Sequence, residues 1–568
     1  MIIVARDGSG DYTSVQAAVD AVKGGGRAPA ILLVRKGTYH ERVIVDKDNL
    51  RIVGEDPEET IITNSACAKD PTPGGGARGT FLSFTVIVTG RNVEIENLTI
   101  RNDAGDGRDV GQAVALFAAG DRGVYRGCRL IAHQDTLFTG PMMPDVAAEI
   151  EPRTGSAECK PACNECDETY SRLYFEDCLI RGDIDFIFGS YRCWFERCTL
   201  YMNERGGYYT AANTPRTQPY GYVFHRCRLT GECADGAAYL GRPWRKYART
   251  LFLDCEMDAC VAPEGFTDWD ENRRVTDRCG EYGTTGARAN QAARHPEQKR
   301  LTAQEAMRVT IPEVIGGWDN WRPDLRVPTW FMCGDSTMAN YPAERSPMAG
   351  WGQMLQSLLT ENVYIENCAI NGRSSKSFID ERWLENISAC LRPGDRLIVS
   401  FSHNDEKADP ARHTDPHGSF PEYLDMYIDA AQKAGAEAIL ATPIARRRFN
   451  EQGQLTATHG EYPDALRRLA EKRGVRLIDL EKATMRLFQE EGIEGTKKIF
   501  CHLPVGMRNY PDGAADDSHM QLDGATRVAA LFLERLEHPE ITDGEMTGVR
   551  EEYDCSALID REDSVVER

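Results

Sequence analysis

Four short stretches in the first half of the chain concentrate groups able to attack a carbonyl or move a proton. They are Gly111-Gln112, His133-Gln134-Asp135-Thr136-Leu137, Gly182-Asp183-Ile184-Asp185-Phe186 and Gly241-Arg242-Pro243-Trp244. Asp185 carries the most information. It stands between Ile184 and Phe186 in an apolar run, where an unpaired carboxylate costs several kcal/mol, so it needs a cation or a chemical task. Asp183, two residues away and expected on the same strand, reads as a solvated turn acid. Gln134-Asp135 alone is compatible with a surface turn. Two carboxyls can divide the work of nucleophile and proton donor only if their proton affinities are pushed apart. An arginine beside one and a negative charge beside the other has that effect.

The second half offers a different set. Cys333-Gly334-Asp335-Ser336-Thr337 follows an apolar strand directly. That would present the Ser336 hydroxyl at the top of a parallel sheet, where α/β sites lie. Asn371-Gly372-Arg373, Ser402-His403-Asn404-Asp405 and Asp516-Asp517-Ser518-His519 follow in order. A serine, a histidine and a carboxylate, with amide donors for an oxyanion, are the parts of an acyl-transfer site. Asp516 can reach His519 from three residues away in the same turn, with Asp517 as its rival by adjacency. His403 and His459 read as structural.

Such groups need scaffolds. Six segments share an apolar residue, two variable positions, Leu or Cys, one variable position and an aliphatic: they start at Ile95, Tyr125, Phe175, Phe195, Phe224 and Phe252. Several copies lie about 20 to 30 residues apart, the interval of a stacked array. One coil cannot bury its apolar face alone, so coils must share a core. The pattern predicts a right-handed parallel β-helix (an all-β solenoid) running to about Met257. Val15, Ala18, Val19 and Val22 share one helical face, which predicts a capping helix over 14–22. A polar stretch over 268–300 and a helix near 301–309 are expected to wrap back over the solenoid. From residue 329 the texture changes to strand and helix in alternation, which predicts a parallel sheet with helices on both sides. The expected domains are 1–322, a linker 323–328, an α/β domain 329–538 and an acidic tail 539–568.

The chain has 568 residues and a net charge of −21, which argues against a nucleic-acid partner. No run of about 18 apolar residues exists, so no membrane span is expected. The start lacks a basic region followed by a long apolar stretch, so the expectation is cytoplasmic, or secreted if a leader was removed. Five of the eighteen cysteines belong to the repeat and read as buried, reduced thiols. Cys159, Cys163 and Cys166 are spaced for metal, but no fourth zinc ligand can be named, and they read as loop thiols. No metal or cofactor is expected.

The first four stretches, in this order, resemble those of the pectin methylesterase family from about residue 2 to 322, together with Asp7-Gly8-Ser9-Gly10-Asp11-Tyr12 and Gly37-Thr38-Tyr39-His40-Glu41. That family is a right-handed parallel β-helix. The resemblance implies Asp185 as nucleophile and Asp135 as general acid, then base. Gln112 and Gln134 would be oxyanion donors, Arg242 the partner of Asp185, and Trp244 with Phe188 the sugar-binding side chains. The later motifs resemble the SGNH (GDSL-type) hydrolases, and among them the rhamnogalacturonan acetylesterases, over about residues 328 to 536. This implies a flavodoxin-like three-layer fold with Ser336 as nucleophile, His519 as base and Asp516 as its orienting acid. Ser336, Gly372 and Asn404 would form the oxyanion hole. The chain departs from that pattern at Ser402, where the family usually has glycine, and from the first family in an acidic insertion between Phe138 and Arg172. Together the resemblances imply a bifunctional pectin esterase whose partners are pectin or pectic oligosaccharides. The alternatives are one active esterase beside a polysaccharide-binding module, a β-helix lyase or glycosidase, or a lipase-like second domain.

Overall fold

The computed structural model describes residues 1–22, 29–72, 75–154, 171–359 and 362–538. The chain divides into two compact units, Met1–Arg326 and Val327–Arg568. Cys159, Cys163, Cys166 and the acidic segment 539–568 lie outside the described residues.

The first unit is a parallel β-helix. Among the described residues, each coil contributes strands to parallel sheets of 11, 8 and 6 strands. The six-fold pattern explains how. Its first residue lies in the 11-stranded sheet, so that Tyr125, Phe175, Phe195, Phe224 and Phe252 pair in register. Its last aliphatic lies in the 8-stranded sheet, as Leu130, Ile180, Leu200 and Leu229 do. Between them one residue takes a left-handed backbone: Asn97, Gly127, Asp177, Arg197, Arg226 and Asp254 all have φ between 49° and 57°. A single such residue turns an extended chain sharply, which makes the corner between sheets. The residue that follows each corner, Leu98 in the first and Cys in the other five, is buried, and Cys128, Cys178, Cys227 and Cys255 donate Sγ–H to a main-chain carbonyl of the preceding coil at 3.2–3.5 Å.

Helix Val15–Ala21 covers one end of the solenoid core with Val15, Ala18 and Val19 fully buried. Ser14 caps it, and the Glu41 carboxylate accepts from the Val15 and Gln16 N–H groups at 2.9 and 3.1 Å, where helix N-terminal donors favour an anion.

The solenoid does not stop at Met257. Strands Cys279–Tyr282 and Lys299–Arg300 extend the 11-stranded sheet into the stretch expected to be a polar wrap. The hydrophobic pattern hides them because Glu281 points into the interior, 1% exposed, where Arg294 and Gln298 neutralise and bond it. The helix expected near 301–309 shrinks to Ala303–Ala306, held by a Thr302–Glu305 capping box. Val309, Val314 and Ile315 then pack on the outer face of the 11-stranded sheet against Tyr174, Trp194 and Val223.

The second unit carries a five-stranded parallel sheet in the order Tyr364–Asn367, Thr329–Gly334, Arg396–Ser400, Glu437–Ala441, Arg476–Ile478. In chain order this is 2-1-3-4-5, the flavodoxin-like winding, whose direction reverses between its first and third strands. Helices Tyr462–Arg473 and Leu522–Glu537 are among those that alternate with its strands. Two helices within Leu480–Ile499, broken at Gly492 where φ is 67°, and an antiparallel pair, Phe500–Leu503 with Ala514–Gln521, were not foreseen. No helix among the described residues is long and apolar enough to cross a membrane.

The aromatic ladder is the mechanical axis of the solenoid. Rings from Tyr125 to Phe252 stack at centroid distances of 4.4–4.7 Å. Phe195→Ala, at a position with neighbours on both sides, should cost about 3–5 kcal/mol. Trp318→Ala, 94% exposed, should stay within about 0.5 kcal/mol. Denaturant midpoints of the two variants against the parent chain check both.

Candidate active sites

Asp135 and Asp185 occupy equivalent places in successive coils. Each stands two residues before a paired strand position, Leu137 and Ile187, and parallel strands lie about 4.8 Å apart. The Asp135 N–H donates to the Ile184 carbonyl at 3.1 Å. Both residues have left-handed backbones, with φ of 67° and 51°, a constraint that clusters at functional sites. Asp183 and Asp185 are therefore in the turn between Leu179–Gly182 and Ile187–Gly189, not on a strand as expected. Nor is Asp183 solvated. It is 1% exposed and accepts from His133 Nδ1 at 2.9 Å and from the Ile184 N–H at 2.7 Å.

Arg242 reaches Asp185 from two coils further along the solenoid. Its Nε and Nη2 donate to Asp185 Oδ1 and Oδ2 at 2.9 and 2.7 Å, the bidentate fork that holds a carboxylate in one orientation. The guanidinium is itself sandwiched between Tyr208 and Trp269, 4.0 and 3.8 Å from the ring centroids. These two rings were missed in the sequence, where they lie 34 residues before and 27 after Arg242 with no local motif.

Burial raises the Asp185 carboxyl above the usual range even though Arg242 pulls it down. The expected pull of Arg242 toward the ionised form is present, and desolvation outweighs it. Asp135 goes further. Burial and then the Asp185 charge push it well above the ordinary range, with Asp183 adding to this and Arg242 opposing it. The two carboxyls are pushed apart, with the proton preferring Asp135.

The Gln112 and Gln134 main chains are also neighbours, since the Ala113 N–H donates to the Gln134 carbonyl at 3.1 Å. Gly107 packs so closely on Gln134 that any side chain there would collide with it. Trp244 is half-buried, and its ring meets Phe188 edge to face at 5.9 Å. Phe188 itself is only 3% exposed, packed in a cluster with Phe138 and Phe117. It supports Trp244 from below and presents almost no surface to a sugar, which corrects its expected role. Among the described residues, Asp106, His133 and Asp183 bring ligand-type atoms within 4.8 Å of one another. Asp106 is already paired with Arg205 at 3.1 Å, and Asp183 with His133 at 2.9 Å.

In the second unit, Ser336 follows the first strand of the sheet and Asn404 follows the third. They flank the point where the winding reverses, the place a ligand enters such a fold. His519 Nε2 lies 2.9 Å from Ser336 Oγ, and His519 Nδ1 lies 2.7 Å from Asp516 Oδ2. Asp516 Oδ1 also accepts from the Ser518 and His519 N–H groups at 2.8 and 2.9 Å. These bonds to His519 and Ser518 outweigh half-burial and hold the Asp516 carboxyl at about 2. It therefore stays anionic, and the tautomer with Nδ1–H donating to Asp516 leaves Nε2 free to accept from Ser336. The motif lies in strand Ala514–Gln521 beside a register shift, not in the turn expected. The rival Asp517 is engaged elsewhere, by Arg447 at 2.9 Å and His502 at 2.7 Å.

Asn404 is buried and donates one amide hydrogen to the Arg373 carbonyl at 2.9 Å. A primary amide has a second hydrogen to offer. This bond ties Asn404 to the loop of Gly372, whose φ of 78° suits glycine and whose Cα faces open space. Ser402 has a φ of 157°, a glycine-favouring value that accounts for the family's usual residue. Its hydroxyl donates to Glu406 at 2.7 Å. His459 is fully buried between Glu406 and the Ile444 carbonyl, a structural role. His403 stacks edge-on against it at 4.5 Å, and burial followed by the His459 charge holds His403 well below the usual imidazole range.

Paired carboxyls on a β-helix and a Ser-His-Asp hydrogen-bond chain on an α/β sheet are arrangements suited to acyl transfer, and the comparisons make the chain a carboxylic ester hydrolase. The pectinesterase family model matches residues 1–142 and 167–318, and the GDSL-like lipase/acylhydrolase model matches 332–524. The chain belongs to the pectinesterase family over its first unit and to the GDSL-like lipase/acylhydrolase family over its second. Rhamnogalacturonan acetylesterase RhgT of Bacillus subtilis is 40% identical over 208 residues, 36% of this chain and 88% of that protein. Pectinesterase 31 of Arabidopsis thaliana is 31% identical over 313 residues, 54% of this chain and 89% of that protein. Pectinesterase 2 of Citrus sinensis is 30% identical, and the chain spans 59% of its length. The solved pectin methylesterase from carrot is 28% identical, covers 56% of this chain and 93% of its own, with a TM-score of 0.46.

The Ser336–His519–Asp516 geometry predicts selective labelling. A serine-directed fluorophosphonate should modify Ser336, read by peptide mass spectrometry. Asp516→Asn, which reverses the preferred tautomer, should slow labelling by about 10⁴, whereas Asp517→Asn should leave the rate within a few-fold.

Proposed function

We propose that the chain is a bifunctional pectin-modifying esterase, removing methyl esters from galacturonate in the first unit and acetyl esters in the second. The observation that carries the first half is the opposed setting of two equivalent carboxyls: Asp185 forked by Arg242, and Asp135 buried, with burial and then the Asp185 charge raising its proton affinity. An Asp185 oxygen attacks the C6 carbonyl of a methyl galacturonate. The Gln112 and Gln134 amides donate to the tetrahedral oxyanion. Collapse forms an anhydride between Asp185 and galacturonate and breaks the bond to methoxide, which takes the Asp135 proton and leaves as methanol. Asp135, now ionised, accepts a proton from the water that opens the anhydride, restoring both carboxyls. Arg242 anchors Asp185 throughout, and Trp244 offers the sugar an apolar face.

In the second unit, Ser336 Oγ attacks an acetyl carbonyl while His519 Nε2 takes its proton and Asp516 stabilises the imidazolium. The Ser336 and Gly372 N–H groups and the free Asn404 hydrogen receive the oxyanion. The sugar hydroxyl leaves with the proton from His519, and water then releases acetate. The names of the relatives, a pectinesterase and a rhamnogalacturonan acetylesterase, support pectic polymers or oligosaccharides as the shared substrate class.

Methanol and acetate followed separately on methylated, acetylated pectin test both halves. Asp185→Ala should abolish methanol release and leave acetate release unchanged, and Ser336→Ala should do the reverse. Gln112→Ala should lower methanol release by about 10²–10³. Persistent methanol release in Asp185→Ala would remove the assignment of the first unit.

A further inference from the structure

The mechanism leaves unused the hydrogen-bonded pair closest in sequence to both carboxyls. His133 is two residues before Asp135, and Asp183 two before Asp185. Their side chains meet across the same pair of coils, His133 Nδ1 to Asp183 Oδ2 at 2.9 Å. The main chains meet there too, the Asp183 N–H donating to the His133 carbonyl at 3.1 Å. The Asp183 carboxyl is almost wholly buried, whereas the His133 ring is 36% exposed. A buried anion beside the reacting groups needs a reason.

We propose that Asp183 is a positioning residue: its buried negative charge, oriented by His133, keeps the proton on Asp135 until methoxide departs. This rests on the assignment of Asp135 as the acid. The groups facing Asp135 are Asp185, Arg242 and Asp183. Arg242 is committed to Asp185 through both its bonds. Among the described residues, Asp183 is thus the one further charge acting on Asp135, weaker than Asp185 and Arg242, and its chain neighbour Ile184 accepts from the Asp135 N–H at 3.1 Å. His133 is the adjustable partner. Its Nδ1 also lies 3.4 Å from the Asn203 amide, whose oxygen accepts from Arg181 Nε at 2.6 Å. Asp106 stands on another side of His133, neutralised by Arg205 at 3.1 Å and approached by Arg108 at 3.7 Å. With His133 neutral, the whole Asp183 charge acts on Asp135. With His133 cationic, that charge is cancelled and Asp135 releases its proton at lower pH.

The sign of the effect follows. Asp135 must be protonated to act as acid, so kcat/KM for methanol release falls as pH rises through its titration. Removing the Asp183 charge lowers the proton affinity of Asp135 and moves this alkaline limb to lower pH. The test measures the pH profile of methanol release by the full chain in three variants. Asp183→Asn deletes the anion, and His133→Arg cancels it permanently. Both should shift the alkaline limb down by about one pH unit. His133→Gln keeps a neutral donor to Asp183 and should leave the limb in place. A purely structural pair would lower the whole profile without shifting it. An unmoved or upward-shifted limb in Asp183→Asn and His133→Arg overturns the proposal. If Asp183→Asn does not fold, the exposed-site variant His133→Arg decides alone. Asp135→Asn separates the two levels: continued methanol release there refutes the acid assignment itself, whereas an inactive Asp135→Asn with unmoved limbs refutes only the role of Asp183.

Discussion

The constraint on which the first unit rests is the parallel register between coils. Because each strand pairs in step with the next, a residue type repeated at one place in successive coils becomes a column about 4.8 Å in pitch. Inside, that column is a ladder of stacked rings and thiols. At the entrance to the six-stranded sheet it is Asp135 beside Asp185. The same geometry that buries the core brings two carboxyls together, and no separate device is required to do so.

Proximity creates an electrostatic problem that the neighbours solve. Two buried anions side by side are unfavourable, so one must hold a proton. The Arg242 fork, braced by Tyr208 and Trp269, favours charge on Asp185, and burial leaves the proton on Asp135. The second unit answers a related problem differently. Asp516 keeps its charge by accepting three hydrogen bonds within one short segment, and that charge orients a single imidazole toward Ser336. Asp405, in the same motif as Asn404, is fully buried and pushed up to about 7 by desolvation, against bonds from Ser375. It anchors the loop that carries Asn404 to that of Ser375.

Much of this was legible locally. The repeat of aromatic, thiol and aliphatic identified the solenoid because stacking imposes one residue type per column. The order Ser336, Gly372, Asn404, Asp516, His519 marked a candidate α/β site because Ser336 and Asn404 follow strands of a fixed winding. Strands Cys279–Tyr282 and Lys299–Arg300 escaped notice because a buried glutamate paired with Arg294 breaks the apolar alternation on which strand reading relies. Asp183 was misread for a similar reason: a carboxylate looks solvated until the histidine that bonds it is brought in from fifty residues away.

The amino-acid order by itself therefore determined the two scaffolds and the identity of the groups able to react, since periodicity and short motifs are properties of neighbouring residues. Only the tertiary structure decided their states. It put Phe188 beneath Trp244 instead of at the surface, gave His519 to Asp516 and Asp517 to Arg447, and assigned the proton to Asp135. Those outcomes depend on burial and on charges from distant coils, and both exist only once the chain has closed around them.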